Sequence, residues 1–148
     1  MNIEQVLEMW KVDGVIDDLK LDETTIRMAR IHSKYLELTT VAKMGKKKIE
    51  LEYKTLLKDK WLYYNGKLSK EQIDTFKWQY DPFGGLNKPL KGDMNYYYDA
   101  DTDIQRVQAL MEIQKILLET LEEIMGTIRW RHQNIGNIIK WRSFEAGV

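Results

Sequence analysis

The sequence predicts a mainly α-helical protein in which long helices flank a loop-rich insert and the C-terminal helices assemble copies of the chain. Three observations carry this. Apolar residues recur at helical spacing over residues 22–64 and again from residue 103 to the end. Both prolines, Pro82 and Pro89, and the pair Gly84-Gly85 fall between those stretches. The 148 residues carry 43% hydrophobic and 31% charged side chains, a balance of ordered chains rather than disordered ones. The length is that of one domain. It divides into an N-terminal helical part (1–66), an aromatic insert (67–100) and C-terminal oligomerisation helices (101–148).

Residues 2–12 place Ile3, Val6, Leu7 and Trp10 on one face, and Asp13-Gly14 ends the pattern. So short a helix is marginal alone and has to dock on another element or on a neighbouring subunit. From Asp22-Glu23 a second pattern runs without proline to Tyr64. Met28, Ile31, Tyr35, Leu38, Ala42, Ile49, Tyr53, Leu56 and Tyr64 keep to a sector of about 80°. Thr39-Thr40-Val41 and Gly45 have low helix propensity, so a hinge into two helices is expected near residues 39–46. Lys60 falls inside the apolar sector, which requires a shifted register or an interface from which the charged head reaches out.

The insert holds Trp78, Tyr80, Phe83 and the run Tyr96-Tyr97-Tyr98. A β-hairpin pairing Lys77–Tyr80 with Asn95–Tyr98 fits this composition. These rings beside Lys77, Lys88 and Lys91 suit base stacking, packing onto the helices, or contact with a partner protein.

Asp103 is the expected N-cap of the last pattern. Leu110, Leu117, Leu121, Ile124, Ile128, Ile135 and Ile138 follow at steps of three, four and seven, the seam of a coiled coil or bundle. Further apolar residues off that seam, such as Ile113, Ile116, Leu118, Met125 and Ile139, need more than one neighbour. Self-association through the seam is therefore expected. Gly126 and Gly136 read as bends or close backbone contacts, and Arg129, Arg131, Lys140 and Arg142 make a basic face.

The net charge is zero but its layout is uneven. Between Lys43 and Lys70 nine lysines face only Glu50, Glu52 and Asp59. On a helix Lys43, Lys47, Lys54 and Lys58 fall within an arc of about 60°. Trp61 stands at its edge, and Tyr63 and Tyr64 lead into the turn Asn65-Gly66. Cations that neutralise phosphates beside rings that stack on unpaired bases are the ingredients of single-strand binding. A solvated lysine face with core aromatics satisfies the same pattern.

Other chemistries have no motif to stand on. No cysteine is present, which removes disulfides and thiol catalysis and suits a reducing compartment. There is no GxxxxGK, HExxH, CxxC or GxSxG spacing, and His32 and His132 are isolated. No enzyme activity, metal or cofactor is expected. No apolar run approaches the roughly 20 residues of a membrane span, and no signal peptide is evident, so a cytoplasmic location without membrane contact is expected.

The run Leu57-Lys58-Asp59-Lys60-Trp61-Leu62-Tyr63-Tyr64-Asn65-Gly66 resembles the Leu-Lys-x-Arg-x-x-Tyr-Tyr-x-Gly signature of the UvsY family, the recombination mediators of T4-like phages. Arg142-Ser143-Phe144-Glu145-Ala146-Gly147 is similar to that family's closing Arg-x-Phe-Glu-Ala-Gly, while residues 67–100 match poorly. The resemblance implies a ring-like homo-oligomer, hexamer or heptamer, that binds single-stranded DNA in the host cytoplasm. It further implies contacts with a RecA-like recombinase (UvsX-type) and a single-stranded DNA-binding protein, and a role in loading the former onto DNA covered by the latter. The family's basic pair, its DNA contact, maps onto Lys58 and Lys60. Lys60 stands where arginine is frequent, keeping the charge without the planar fork. The rival class is a helical scaffold without DNA binding.

Overall fold

The computed structural model describes residues 1–83 and 88–147; the expected Gly84-Gly85 turn lies outside them. The elements are α1 (Ile3–Asp13), α2 (Leu21–Tyr64), α3 (Lys70–Phe76), a 3₁₀ turn (Lys91–Asp93), α4 (Met94–Ala100) and α5 (Thr102–Glu145). The chain forms two compact units, one of residues 1–45 and 113–148 and one of residues 46–112. Helices α2 and α5 contribute to both.

Local chemistry accounts for the helix ends. Asn2 and Gln5 form a reciprocal capping box at the start of α1, and Ser69 and Gln72 form another at α3. The backbone N–H of Gly14 closes α1 on the Trp10 carbonyl. The hinge expected in α2 is absent. Thr39 and Thr40 turn their hydroxyls onto the carbonyls of Tyr35 and Leu36, and the helix continues. Gly45 serves close approach instead, since a Cβ there would lie 2.9 Å from the Gln114 side chain, whose amide donates to the Ala42 carbonyl at 3.1 Å. Gly126 and Gly136 are neither bends nor contacts: α5 runs through both, and a Cβ at either would meet open space.

In the first unit α1 docks on its own chain. Val6 packs with Met28, Ile31, Tyr35 and Ala42 of α2 and with Leu117, Leu118, Leu121, Ile124, Met125 and Ile128 of α5. Tyr35 sets its ring edge-on to Trp10 and donates to Asp13 at 3.0 Å. This corrects the expected oligomer seam. Leu117, Leu121, Ile124, Ile128 and Ile135 are buried within the chain itself, because α1 and α2 supply the partner surface that the short helix was judged too small to give. Of the seven seam positions only Leu110 is exposed, with Ile138 partly so. The basic C-terminal face is also partly engaged. Arg131 donates to the Gly14 carbonyl and Arg142 to that of Asp18, while Arg129 and Lys140 remain exposed.

In the second unit the expected hairpin gives way to helix. Asn95–Tyr98 lie within α4, and no strand is present among the described residues. The β-propensity of the tyrosine run is overridden by tertiary packing, in which Met94 is buried and Tyr97 and Tyr98 meet Tyr64. Among the described residues no helix is long and apolar enough to cross a membrane.

Candidate nucleic-acid interface

The C-terminal part of α2 turns two chemically different faces outward and inward. On the outer face Lys47, Lys54 and Lys58 are exposed, and Lys43, in the first unit, is exposed as well. Among the described residues no carboxylate lies within ion-pair distance of any of these four ammonium groups. Spacings of seven and four residues keep Lys47, Lys54 and Lys58 on one stripe. Trp61, three residues beyond Lys58, is 40% exposed, and the Lys67 ammonium lies 4.5 Å from its ring centroid. A cation and a ring are therefore presented together at the end of the stripe.

Lys60 is on the opposite side, and its assignment as a surface phosphate contact requires correction. The residue is 3% exposed. Its ammonium donates to Asp101 Oδ2 at 3.0 Å and Asp103 Oδ2 at 2.9 Å and lies 3.9 Å from the centroid of Trp78. Two carboxylates and an aromatic face occupy a buried cation completely, leaving no charge for a polyanion outside. The helical projection had placed Lys60 in the apolar sector, which was the signal of this burial.

Tyr63 and Tyr64 point inward with Lys60. The Tyr63 ring is buried against Trp78, and its hydroxyl donates to the Gln79 carbonyl. Tyr64 donates to Asp101 Oδ2 and meets Phe83, Tyr97 and Tyr98. Burial, and then the bond to Asp101, pushes the Tyr64 phenol far above its ordinary value, so it remains a donor. Neither ring belongs to the lysine stripe. Both instead line an aromatic cavity at the end of the helix with Gly66, Leu68, Ile73, Tyr80, Asp81, Pro82, Phe83 and Lys88.

Asp101 joins this network to the start of α5. Its Oδ1 accepts the backbone N–H groups of Asp103 at 2.9 Å and Ile104 at 3.1 Å, so Asp101 rather than Asp103 caps the helix. Both residues suited the cap by type and spacing; the buried cation distinguishes them. Burial alone would raise the Asp101 carboxyl. The hydrogen bonds from Tyr64, Lys60 and Ile104, with the Lys60 charge, outweigh it and hold the group below the ordinary carboxylate range. A depressed carboxyl contributes stability above its unfolded value of about 3.9 and loses it as pH falls through the folded value. The melting temperature, followed by circular dichroism at constant ionic strength, therefore falls below about pH 4. Asp101→Asn, which keeps a capping oxygen, shows a shallower fall.

Comparison with known proteins agrees with this arrangement. Residues 9–148 match the family described as "Recombination, repair and ssDNA binding protein UvsY". The chain is 26% identical over 147 residues to the recombination protein UvsY of Enterobacteria phage T4, covering 99% of each. Crystal structures of the bacteriophage T4 recombination mediator protein UvsY superpose closely. The lattice type II form has a TM-score of 0.81 at 27% identity, covering 99% of this chain and 98% of that one. The lattice type I form has 0.79 at 26%, covering 95% and 98%. With the signature run at residues 57–66, a matching all-helical fold and a family match over nearly the whole length, the chain belongs to the UvsY family of recombination, repair and single-stranded-DNA-binding proteins.

Proposed function

We propose that this protein is a recombination mediator: it binds single-stranded DNA and helps load a RecA-like recombinase onto DNA covered by a single-stranded DNA-binding protein. The observation that carries the reading is the unpaired, exposed lysine stripe Lys47, Lys54 and Lys58 in a chain of this family. Lys43 extends the supply of cations, and Trp61 adds a stacking surface. Lys60, Tyr63 and Tyr64 hold the shape of the helix end behind the stripe.

One stripe of a few lysines binds a strand weakly. In a ring-like homo-oligomer of six or seven subunits, repeated stripes act on one strand, and each contact raises the effective concentration of the next. A strand held in this way is available to the recombinase and disfavoured for the competing coat protein, a population shift by differential binding that needs no nucleotide hydrolysis by the mediator. Support for self-association comes from apolar side chains that the chain's own core leaves uncovered on α5: Ile113, Ile116, Trp130, Ile139, Trp141 and Phe144 are all exposed. These replace the buried seam as the proposed subunit contacts.

Recombinase assembly on a single strand already covered by its binding protein tests the reading. Addition of this protein shortens the lag of filament formation, and fluorescence anisotropy shows a preference for single strands over duplex. Equal lag with and without the protein, or no binding to single strands at low salt, overturns the mediator reading. A monomer by light scattering at micromolar concentration overturns the ring.

A further inference from the structure

The aromatic cavity at the end of α2 is not part of the lysine stripe, and we propose that it is a subsite for one unpaired nucleobase of the bound strand, with the adjoining phosphate on Lys88. The proposal rests on the single-strand reading above and adds a second, base-dependent contact to it.

The size and walls of the cavity select the occupant. Its volume is about 220 Å³, and a cavity of roughly 150 Å³ accepts a benzene ring. A pyrimidine therefore fits with space left for a larger ring. Tyr63, Tyr64, Tyr80 and Phe83 line it together with Ile73, Leu68 and Pro82, so a flat aromatic guest meets rings on several sides. Tyr80 is 60% exposed and has the Lys70 ammonium 5.6 Å from its ring centroid. It is a ring held at the mouth rather than one committed to the core.

The mouth is cationic. Lys88 lies across the backbone of Gly66, where a Cβ would come within 2.8 Å of its Cε and 3.0 Å of its Nζ. Gly66 also has φ +65, a conformation that favours glycine. The last glycine of the signature run thus both makes the turn and leaves room for the lysine stem. A guest with a flat aromatic body and an attached anion uses both features. A free phosphate would leave the rings unused, and an apolar peptide side chain would leave the ammonium unused. Asp81 also lines the cavity, and its carboxylate accepts from the exocyclic amine of cytosine or adenine, whereas thymine offers it carbonyl oxygens. A preference for the amine-bearing bases follows.

The test compares a labelled single strand with a strand of equal length whose sugars carry no bases, so that the phosphates are the same. By anisotropy the wild type binds the base-bearing strand about tenfold more tightly, within the range of base–aromatic stacking, with the same salt slope for both. Tyr80→Ala closes most of that gap without altering binding to the baseless strand, and Tyr80→Phe retains it. Because Tyr80 is largely exposed, the variant is expected to melt as the wild type does. If Tyr80→Ala keeps the wild-type ratio, or if the wild type binds both strands equally, the subsite is overturned while the single-strand reading stands. If the wild type binds neither strand, both fall.

Discussion

Lys60→Ala is expected to lose about 3–5 kcal/mol of folding stability, the scale for removing one partner of a buried ion pair. Lys58→Ala, two residues earlier, is expected to change stability by less than about 0.5 kcal/mol. Both substitutions remove one lysine from the same signature run, so charge count cannot explain the difference. The Lys60 and Asp101 side chains are almost fully buried, and Asp103 is about two-thirds so. Without the ammonium, two carboxylates face each other beside Trp78, and Asp101 must serve as helix cap and acceptor for Tyr64 with its charge uncompensated. Thermal unfolding in the absence of DNA, followed by circular dichroism and tryptophan fluorescence, measures the effect. A combined Lys60→Met, Asp101→Asn, Asp103→Asn variant recovers much of the loss, because it removes the stranded charges and keeps a side-chain oxygen at the cap. A Lys60→Ala protein that melts as the wild type does would show that the buried triad contributes nothing to the fold. Any loss of DNA binding in that variant belongs to the disordered helix end and is no measure of a phosphate contact.

This result explains what was legible in the residues and what was not. Helix existence was legible, because apolar periodicity, the Asp13-Gly14 stop and the lack of proline from residue 21 to 64 all report on local backbone preference. The burial of Lys60 was half legible: its position in the apolar sector was visible, but Asp101 and Asp103, the partners that permit burial, lie more than forty residues away. The seam on α5 was a sound apolar face with the wrong neighbour. Periodicity states that Leu117, Leu121 and Ile124 need cover, and it is silent on whether that cover is Val6 and Tyr35 of the same chain or another subunit. The tyrosine run misled for a related reason. Tyr96-Tyr97-Tyr98 has strand propensity, and contacts with Tyr64 together with the burial of Met94 decide for helix. The aromatic cavity was the least legible feature, since its lining comes from the end of α2, α3 and the segment after it, and only the fold brings Tyr64, Ile73, Tyr80 and Lys88 around one space.

The combined variant Lys47→Ala, Lys54→Ala, Lys58→Ala is expected to weaken single-strand binding by about 100-fold at 0.1 M salt while its melting temperature stays close to that of the wild type. The magnitude follows from counterion release. Each phosphate neutralised on a single strand contributes about 0.7 to the logarithmic salt slope, so three lost contacts flatten the slope by about 2. The affinity at 0.1 M then falls by about two decades relative to that at 1 M, where the electrostatic contribution is small. Anisotropy titrations across that salt range measure slope and affinity together. The exposed position of all three lysines and their lack of carboxylate partners among the described residues are why little stability is at stake; removing repulsion between Lys54 and Lys58 at i,i+4 is slightly favourable if anything. Equal salt slopes for variant and wild type would show that the strand is held elsewhere on the molecule. A flattened slope with the base-bearing strand still preferred over its baseless counterpart would separate the two contacts: phosphates on the lysine stripe, and a base in the aromatic cavity at its end.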